Sequence, residues 1–161
     1  MLHLIPFTKN HYLTLINWII DEETMLKFAG IGFQYPLTQE QLDQYIAKYP
    51  DRKLYLALDD QENPVGYGEI IPQEENSARL GHLIIGESQN RGLGLGQKLI
   101  QALNNEAKSH LQIKNMDLFV LEENTLAINC YLKSGFNFMP NDFSISYKDK
   151  TYQILKMTIF L

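Results

Sequence analysis

Three glycines at alternate positions separate an apolar run from an amphipathic stretch in the segment NRGLGLGQ, residues 90–97. The preceding run ARLGHLIIG, residues 78–86, predicts a strand, and the apolar residues that recur every four positions from Leu95 predict a helix. Glycine lets successive backbone N–H groups point into one concavity, and the start of a helix adds positive potential. The segment therefore predicts a phosphate-binding turn between a strand and a helix.

The spacing of these glycines excludes two common kinds of phosphate-binding loop. A dinucleotide-binding loop follows G-x-G-x-x-G, but its last position falls here on Gln97 or Leu99, depending on which glycine is counted first. A loop for nucleoside triphosphates follows G-x-x-x-x-G-K-[ST], and no Gly-Lys pair occurs near the segment. The remaining pattern is Arg91-x-x-Gly94-x-Gly96.

The order of the predicted elements indicates a mixed α/β fold in which helices cover the faces of one sheet. A capping-box pattern at Thr38 and Gln41 starts the best-marked helix, and Pro50 ends it. The predicted strands are LHLIPF (2–7), KLYLALDD (53–60), VGYGEIIP (65–72), ARLGHLIIG (78–86), NMDLFVLEE (115–123), FNFM (136–139) and TYQILKMTIFL (151–161). The predicted helices run from Asn10 to about Asp21, from Thr38 to Pro50, from the glycine loop to Ala107 and from Asn124 to Gly135, while residues 24–37 are predicted to form an ordered loop.

Size, cysteine content and charge narrow the class of protein. With 161 residues and 45% hydrophobic composition, we expect residues 1–161 to form a single domain. A lone cysteine, Cys130, excludes a disulfide within the chain, disfavours a cysteine-based zinc site and favours a reducing, cytoplasmic setting. The N-terminus lacks the features of a signal peptide, and no apolar run approaches the roughly 20 residues that span a bilayer. The formal net charge of −5 argues against broad binding to nucleic acid or anionic membranes, so we expect small molecules or peptides as partners and a monomer or homodimer.

Two motifs together resemble the GNAT superfamily of acyl-CoA-dependent N-acyltransferases. The first is the family's [RQ]-x-x-G-x-[GA], which Arg91, Gly94 and Gly96 match. The second is N-x-x-A-x-x-x-Y-x-x-x-G-F, matched by NTLAINCYLKSGF at residues 124–136. The resemblance implies a mostly antiparallel, twisted sheet of about seven strands flanked by about four helices. It also implies an acetyl-CoA-dependent N-acetyltransferase without a metal, in which a primary amine of a small molecule or peptide attacks the thioester directly in a ternary complex.

The resemblance implies a coenzyme A site built from three parts of the chain. The glycine loop is expected to hold the pyrophosphate, and backbone N–H groups at a bulge in the fourth strand are expected to meet the oxyanion. One helical face, which carries residues 124, 127 and 131, is expected to lie along the pantetheine arm and the thioester. The expected cofactor-binding residues are Leu83, Ile84, Ile85, Arg91, Gly92, Leu93, Gly94, Leu95, Gly96, Asn124, Ala127 and Tyr131.

Two residues are predicted to be catalytic, and each has an alternative structural role. Tyr131 is the candidate acid for the thiolate, or it packs its ring against the sheet. Glu69, on a strand where Gly66 and Gly68 are expected to leave the backbone accessible, is the candidate base, or it is a solvated strand glutamate. Cys130 faces away from the residues that carry the second motif and is interpreted as a core residue rather than a nucleophile.

The acceptor site is predicted less directly. Phe28, Phe33 and Tyr35 lie in the ordered loop that the family uses for its acceptor pocket, although ordinary core packing explains them equally well. Glu69 and His82 complete the predicted substrate-binding set. His82 is also a second candidate for the base, although the sequence favours a structural histidine. Glu22 and Glu23 offer negative charge for a cationic acceptor, or they form an exposed helix end.

Several functions remain open on the sequence alone. A protein N-terminus or an aminoglycoside is an alternative acceptor to a small amine or peptide. A non-catalytic, regulatory module that only binds coenzyme A is an alternative to an enzyme. Tyr131 argues against that module, because binding the cofactor alone creates no need for an acid there.

Overall fold

The computed structural model describes residues 1–87 and 92–161, which form one mixed sheet with helices on both faces. The strands are β1 (His3–Pro6), β2 (Lys53–Leu58), β3 (Pro64–Pro72), β4 (Ser77–Ile85), β5 (Asn115–Leu121), β6 (Asn137–Tyr147) and β7 (Lys150–Phe160). The helices are α1 (Tyr12–Trp18), α2 (Glu22–Ala29), α3 (Gln39–Lys48), α4 (Leu95–His110) and α5 (Thr125–Lys133). The predicted fold class is confirmed, and these described residues contain five α-helices where the sequence predicted about four.

The sheet opens in its middle. Its strands lie in the order β1-β2-β3-β4-β5-β7-β6, and every neighbouring pair is antiparallel except β4 and β5. Those two strands pair in parallel only as far as Leu80 and Leu118. Both continue beyond that point, to Ile85 and Leu121, so they diverge there. The second half of β4 therefore borders a gap in the sheet.

Two hydrophobic layers fill the two faces of the sheet. Helix α4 packs on one face through residues such as Leu103, and helices α1 to α3 pack on the other through residues such as Leu15. Successive strand residues point to opposite faces, and β2 follows this rule. Its Ala57 joins the α4 layer, whereas Leu56 and Leu58 join the layer of α1 to α3. Each face thus has its own core.

The prediction of a loop over residues 24–37 is wrong in its first part, where α2 continues to Ala29. The carboxylate of Asp21 caps this helix by accepting a hydrogen bond from the backbone N–H of Thr24 at 2.7 Å. Gly30, with φ of 57°, ends it. The glycines of this segment follow the helix instead of interrupting it, so the segment keeps a full apolar helical face.

The first helix is shorter than predicted at both ends. Asn10 does not cap it, because Asn10 lies inside a 3-10 turn at residues 9–11. The backbone N–H of Thr8 closes that turn by donating to Nδ1 of His11 at 3.0 Å. At the other end, Asp21 is the cap of α2 and not the last residue of α1.

The predicted helix from Thr38 is confirmed as α3. The Thr38 hydroxyl accepts the backbone N–H of Gln41 at 3.2 Å, as the capping pattern requires. Leu37 and Leu42, on either side of the cap, are both buried. This helix places Tyr45 over the sheet, above the centre of the site described next.

The closing hairpin is confirmed, with a longer first strand than predicted. β6 extends from Asn137 to Tyr147, and its register with β7 shifts between Met139 and Phe143. Pro140 lies at that shift, where a residue without a backbone N–H is tolerated. The proline explains why the pattern stopped at FNFM.

Candidate active site

A bulge in β4 forms the centre of the site. Tyr67 pairs with Ile84 and Glu69 pairs with Gly81, so the single residue Gly68 lies opposite both His82 and Leu83. His82 takes a left-handed conformation there, with φ of 50°. A bulge redirects the side chain of the extra residue. It turns the imidazole of His82 toward the layer of α1 to α3.

Glu69 is completely buried beneath that bulge. Tyr67 lies two residues earlier on the same strand face and donates its hydroxyl to Glu69 Oε2 at 2.6 Å. The hydroxyl of Tyr45 donates to Glu69 Oε1. Nδ1 of His82 lies 2.8 Å from Oε2 of the same carboxylate. A buried carboxylate is tolerated only when hydrogen bonds compensate its lost hydration, and these three partners supply them.

The imidazole of His82 joins this buried carboxylate to an open cavity. Its Nδ1 faces Glu69, and the aromatic rings of Phe28, Phe33 and Tyr45 surround it with centroid distances of 5.4, 5.5 and 5.4 Å. Its Nε2 lies 3.8 Å from the position that a Cβ on Gly32 would occupy. With Nδ1–H donating to Glu69, Nε2 is the atom left to accept a proton.

Two adjacent cavities lie against this pair. The smaller has a volume of about 280 Å³ and is lined by Gly32, Phe33, Gln41, Gln44, Tyr45, Lys48, Tyr49, Arg52 and His82. The larger, of about 720 Å³, is lined by Glu22, Met25, Leu26, Gly30, Ile31, Gly32, Phe33, Gln34, Tyr35, Gln41, Gln44, Tyr147 and Lys148. They share Gly32, Phe33, Gln41 and Gln44, so together they form one path from the surface to His82.

The predicted acceptor residues differ in their relation to these cavities. Phe33 lines both and Tyr35 lines the larger one, whereas Phe28 is buried behind the His82 ring and lines neither of the two. Glu22 forms an ion pair with Lys148 and accepts a hydrogen bond from the Tyr147 hydroxyl at 3.1 Å. The charge of Glu22 is therefore already balanced at the rim of the larger cavity.

The expectation that Gly66 and Gly68 leave the backbone of β3 accessible is wrong. Both glycines are buried under α4. A Cβ on Gly68 would lie 2.6 Å from Cδ1 of Leu103 and 2.7 Å from Cδ2 of Leu83. These glycines allow α4 to approach the sheet closely, and they do not open a path to Glu69.

Part of the predicted cofactor-binding set lies on the other face of the sheet. Five of them pack as half-buried residues against the same core: Leu83, Ile85, Leu95, Ala127 and Tyr131. Ile84 is buried and points into the opposite layer. The two sequence motifs meet directly, because a Cβ on Gly96 would lie 3.0 Å from Sγ of Cys130. Cys130 thus joins α4 to α5, and burial raises the pKa of its thiol.

The glycine loop requires glycine for its backbone conformation. Gly92 and Gly94 have φ of 81° and 77°, in the left-handed region, and Gly94 is the residue before α4 begins. Among the described residues, and apart from each glycine's own chain neighbours, no heavy atom lies within 4 Å of a Cβ built on either one. Leu93 is exposed beside them. Left-handed glycines at a helix start are compatible with a bound pyrophosphate. Arg91, the first residue of the motif, lies outside the described residues.

Replacing Gly94 by alanine is expected to weaken coenzyme A binding by about fivefold to 30-fold. A left-handed φ is less favourable for alanine than for glycine by about 1–2 kcal/mol. We therefore expect the loop to relax and to turn its backbone N–H groups away from the bound pyrophosphate. Calorimetric titration of coenzyme A measures the affinity. Gln97→Ala, an exposed change in the first turn of α4, is the matched control. Equal affinities for the two variants would contradict this function of Gly94.

Helix α5 presents the second motif to the same region. Asn124 caps it, since its side-chain oxygen accepts the backbone N–H of Ala127 at 3.4 Å. Tyr131 is half-buried and packs edge-on against Phe136 at 6.1 Å between centroids. Burial raises the pKa of the Tyr131 hydroxyl above its ordinary value of 10. Tyr131 therefore remains a hydrogen-bond donor at neutral pH.

We expect the free energy of unfolding to fall as the pH rises above about 10. Burial raises the pKa of Tyr45, Tyr67 and Tyr131 in the folded state, while the unfolded chain releases these protons at the ordinary value near 10. Above that pH the folded state holds more protons, so stability decreases by about 1.4 kcal/mol per pH unit for each tyrosine. Urea denaturation at several alkaline pH values measures this slope. Tyr67→Phe is expected to make it shallower, and an unchanged slope would contradict the assignment.

Sequence analysis missed three residues that surround Glu69 and His82. Tyr45, Tyr67 and Arg52 were not singled out as site residues. One local signal was present for Tyr67, because residues 67 and 69 share a strand face. No such signal links Tyr45 or Arg52 to Glu69, since their contacts cross from α3 and its following turn to the sheet.

The site contains no arrangement typical of a metal centre. Within the described residues, no group of three or more His, Cys, Asp or Glu side chains is placed to hold a metal ion. No described helix combines the length and apolar character that a membrane span needs.

Comparison with known protein sequences identifies similarity to one family. The sequence profile described as the acetyltransferase (GNAT) family matches residues 14–136. The N-alpha-acetyltransferase 20 of Dictyostelium discoideum is 30% identical over 129 residues, which covers 77% of this chain and 73% of that protein. The matched region contains the bulge, the glycine loop and all of α5.

Solved structures share the fold. A spermidine N-acetyltransferase from Vibrio cholerae, in complex with CoA and spermine, superposes with a TM-score of 0.80 and 20% identity over 99% of this chain and 95% of that chain. An aminoglycoside acetyltransferase in complex with coenzyme A and kanamycin superposes with a TM-score of 0.75 and 17% identity, again over 99% and 95% of the two chains. At these identities the likeness concerns the arrangement of the backbone.

Proposed function

Because this chain belongs to the acetyltransferase (GNAT) family and uses acetyl-CoA as its acyl donor, we propose that it acetylates a primary amine of a small molecule or peptide. The acceptors of related proteins support an amine, since spermine and kanamycin occupy two structures of this fold. The observation that carries the proposal is the buried pair of Glu69 and His82, which ends at an open cavity.

Attack by an amine on a thioester sets three demands on the protein. Acetyl-CoA supplies an activated carbonyl carbon and a thiolate leaving group. The protein must take a proton from the amine, stabilise negative charge on the carbonyl oxygen and stabilise the thiolate. The first demand is large, because an amine with a pKa near 10.4 is mostly protonated at pH 7, and deprotonating it costs about 4.6 kcal/mol.

His82 is the proposed proton acceptor, and Glu69 is its positioning residue. The sequence instead made Glu69 the first candidate for the base and placed His82 among the substrate-binding residues. Glu69 is fully buried and all its described hydrogen bonds go to protein groups, so an amine cannot reach it. His82 is 16% exposed and lines the cavity. Glu69 holds the proton on Nδ1 and stabilises the positive charge that His82 gains at Nε2.

We assign the groups that stabilise the oxyanion and the thiolate to opposite sides of the gap between β4 and β5. Backbone N–H groups of Leu83, Ile84 and Ile85, next to the bulge, are the proposed oxyanion donors. Tyr131 is the proposed partner of the thiolate. Full proton transfer from a tyrosine of pKa 10 to a thiolate of pKa 8.5 is uphill by about 2 kcal/mol, and the raised pKa of Tyr131 increases that cost. A hydrogen bond is therefore its larger contribution.

Cofactor binding is assigned to the glycine loop and the first half of α5. Gly92, Leu93, Gly94, Leu95 and Gly96 are proposed to surround the pyrophosphate, with the N-terminus of α4 pointing at it. Asn124 and Ala127 are proposed to lie along the pantetheine arm, and Arg91 completes the motif. We also propose that the protein functions in a reducing, cytoplasmic setting, which its single cysteine favours.

Release of free thiol from acetyl-CoA, measured across a panel of amines, peptides and aminoglycosides, tests the function. We expect turnover with at least one class of primary amine, together with a mass increase of one acetyl group on that acceptor. Tight coenzyme A binding without turnover on any acceptor would instead identify a regulatory module that only binds the cofactor.

A further inference from the structure

The smaller cavity carries two positive charges in a chain whose formal net charge is −5. Lys48, the last residue of α3, and Arg52, in the turn that follows, both line it. Among the described residues, neither forms an ion pair with an acidic side chain. No Asp or Glu is among the described residues that line this cavity. The wall of the cavity is therefore cationic.

Aromatic contacts hold both charges in place. The guanidinium of Arg52 stacks on the ring of Tyr49, with its Cζ 3.7 Å from the ring centroid. The ammonium of Lys48 lies 5.3 Å from the centroid of the same ring. Like charges on one ring repel each other, and an anion bound between them would relieve that repulsion. Arg52 uses one N–H group on the Tyr45 hydroxyl, at 2.6 Å, and keeps further donors for a ligand.

Neighbouring acidic groups leave a net positive charge on this wall. The buried carboxylate of Glu69 is joined to Arg52 through the Tyr45 hydroxyl, so it offsets at most one of the two positive charges. Glu22, in the adjoining cavity, is paired with Lys148. Gln41 is also occupied, because its amide group bonds the backbone of the loop at residues 34–36.

The cationic wall is close to the proposed base. Arg52 and His82 both contact the hydroxyl oxygen of Tyr45, at 2.6 Å and 3.2 Å. The His82 atom in that contact is Nδ1, but His82, Arg52 and Lys48 also line the same cavity, so an acceptor whose amine reaches Nε2 would place its other end in a space that both cations border. A carboxylate matches the planar fork of a guanidinium.

We propose that the acceptor is a primary amine that also carries a carboxylate a few bonds from its nitrogen. The amine faces His82, and the carboxylate binds Arg52 and Lys48. This inference rests on the proposed function, since it specifies the acceptor of the same site. It sets the protein apart from an enzyme for polyamines, whose second ammonium group would meet two cations here.

Matched acceptors test this charge preference directly. They are the acids 3-aminopropanoate and 4-aminobutanoate, their amides, and the diamines 1,3-diaminopropane and 1,4-diaminobutane. We expect kcat/KM for the acids to exceed that for the amides by about 10- to 100-fold, the size of one hydrogen bond to a charged group. The diamines are expected to be poorest. Equal rates across the series, or a preference for the diamines, would overturn the proposal.

Variants of the cavity assign that preference to its residues. Arg52→Gln is expected to reduce the preference for the acids over the amides about tenfold or more. Lys48→Glu, which leaves the hydrogen bond to Tyr45 intact, is expected to shift the preference toward the diamines. Lys108→Glu makes the same change in net charge at the exposed end of α4 and should leave it unchanged. If Lys48→Glu and Lys108→Glu show the same preference among acids, amides and diamines, the charge of the cavity does not determine which acceptor is used.

The acids and the diamines can also be titrated calorimetrically into the coenzyme A-loaded protein. Their binding distinguishes a wrong acceptor class from a wrong transfer function. Tighter binding of the acids without turnover would support the acceptor class and overturn the transfer function. Turnover or tighter binding of the diamines would support an amine site and overturn the acceptor class.

Discussion

Replacing Glu69 by glutamine is expected to lower kcat by about 10²- to 10⁴-fold, the usual contribution of general base catalysis. Glutamine keeps the size of the buried side chain but removes the charge that holds the proton on Nδ1 of His82. His82 then loses its fixed tautomer and the stabilisation of its charged form. Steady-state thiol release measures kcat, and titration of coenzyme A should give an affinity like that of the unchanged protein.

Two comparisons distinguish this function of Glu69 from a purely structural one. Glu75→Gln removes the same charge from an exposed turn between β3 and β4 and should leave kcat unchanged. The losses of kcat caused by Glu69→Gln and by His82→Gln should not be additive in the double variant, because each substitution removes the same proton-accepting unit. The pH dependence of kcat/KM should also change in Glu69→Gln. A folded variant with normal kcat and an unchanged pH profile would exclude the pair from catalysis.

Replacing Tyr131 by phenylalanine is expected to lower kcat by about 10²-fold, because the developing thiolate loses its hydrogen-bond donor. The ring remains, so its contact with Phe136 and its packing against the core remain as well. Single-turnover measurement of thiol release, with coenzyme A affinity determined in parallel, checks this expectation.

A second variant that loses a tyrosine hydroxyl elsewhere in the protein is the control for Tyr131→Phe. Tyr152→Phe makes the same chemical change on β7, in a cluster with Ile154 that is separate from the cofactor face. We expect normal kcat there. If Tyr131→Phe also keeps normal kcat while it binds coenzyme A, Tyr131 only packs its ring. Because the raised pKa keeps Tyr131 protonated, its deprotonation should reduce kcat only above pH 10.

The elements of the fold could be predicted wherever local patterns agree with each other. The capping pattern at Thr38 predicted α3 correctly, and the repeat from Leu95 predicted α4, whose buried face carries Leu99, Leu103 and Ala107. The prediction failed at α2, where Gly30 and Gly32 suggested a loop. The cap at Asp21 was assigned to the end of the first helix, so the start signal of the second was lost.

The candidate site was predictable in proportion to how local it is. The glycine loop and the face of α5 each lie in one continuous segment, so each could be matched to a motif of the family that the sequence resembles. The contact that joins the two segments, between Gly96 and Cys130, follows from the way α4 and α5 pack. Tyr45 and Arg52 escaped prediction because Tyr45 reaches Glu69 from a different layer of the fold and Arg52 joins it only through the Tyr45 hydroxyl.

The sequence by itself determined that this chain forms a mixed sheet with helices, that a glycine-rich turn lies between a strand and a helix, and that a second motif accompanies it. These features are set by side-chain periodicity and backbone preference within short segments. Only the tertiary structure decided that Glu69 is buried and that His82 reaches the cavity. The physical reason is the register of β3 and β4, because one bulge turns His82 onto the carboxylate, and no local pattern specifies which residues strand pairing will bring together.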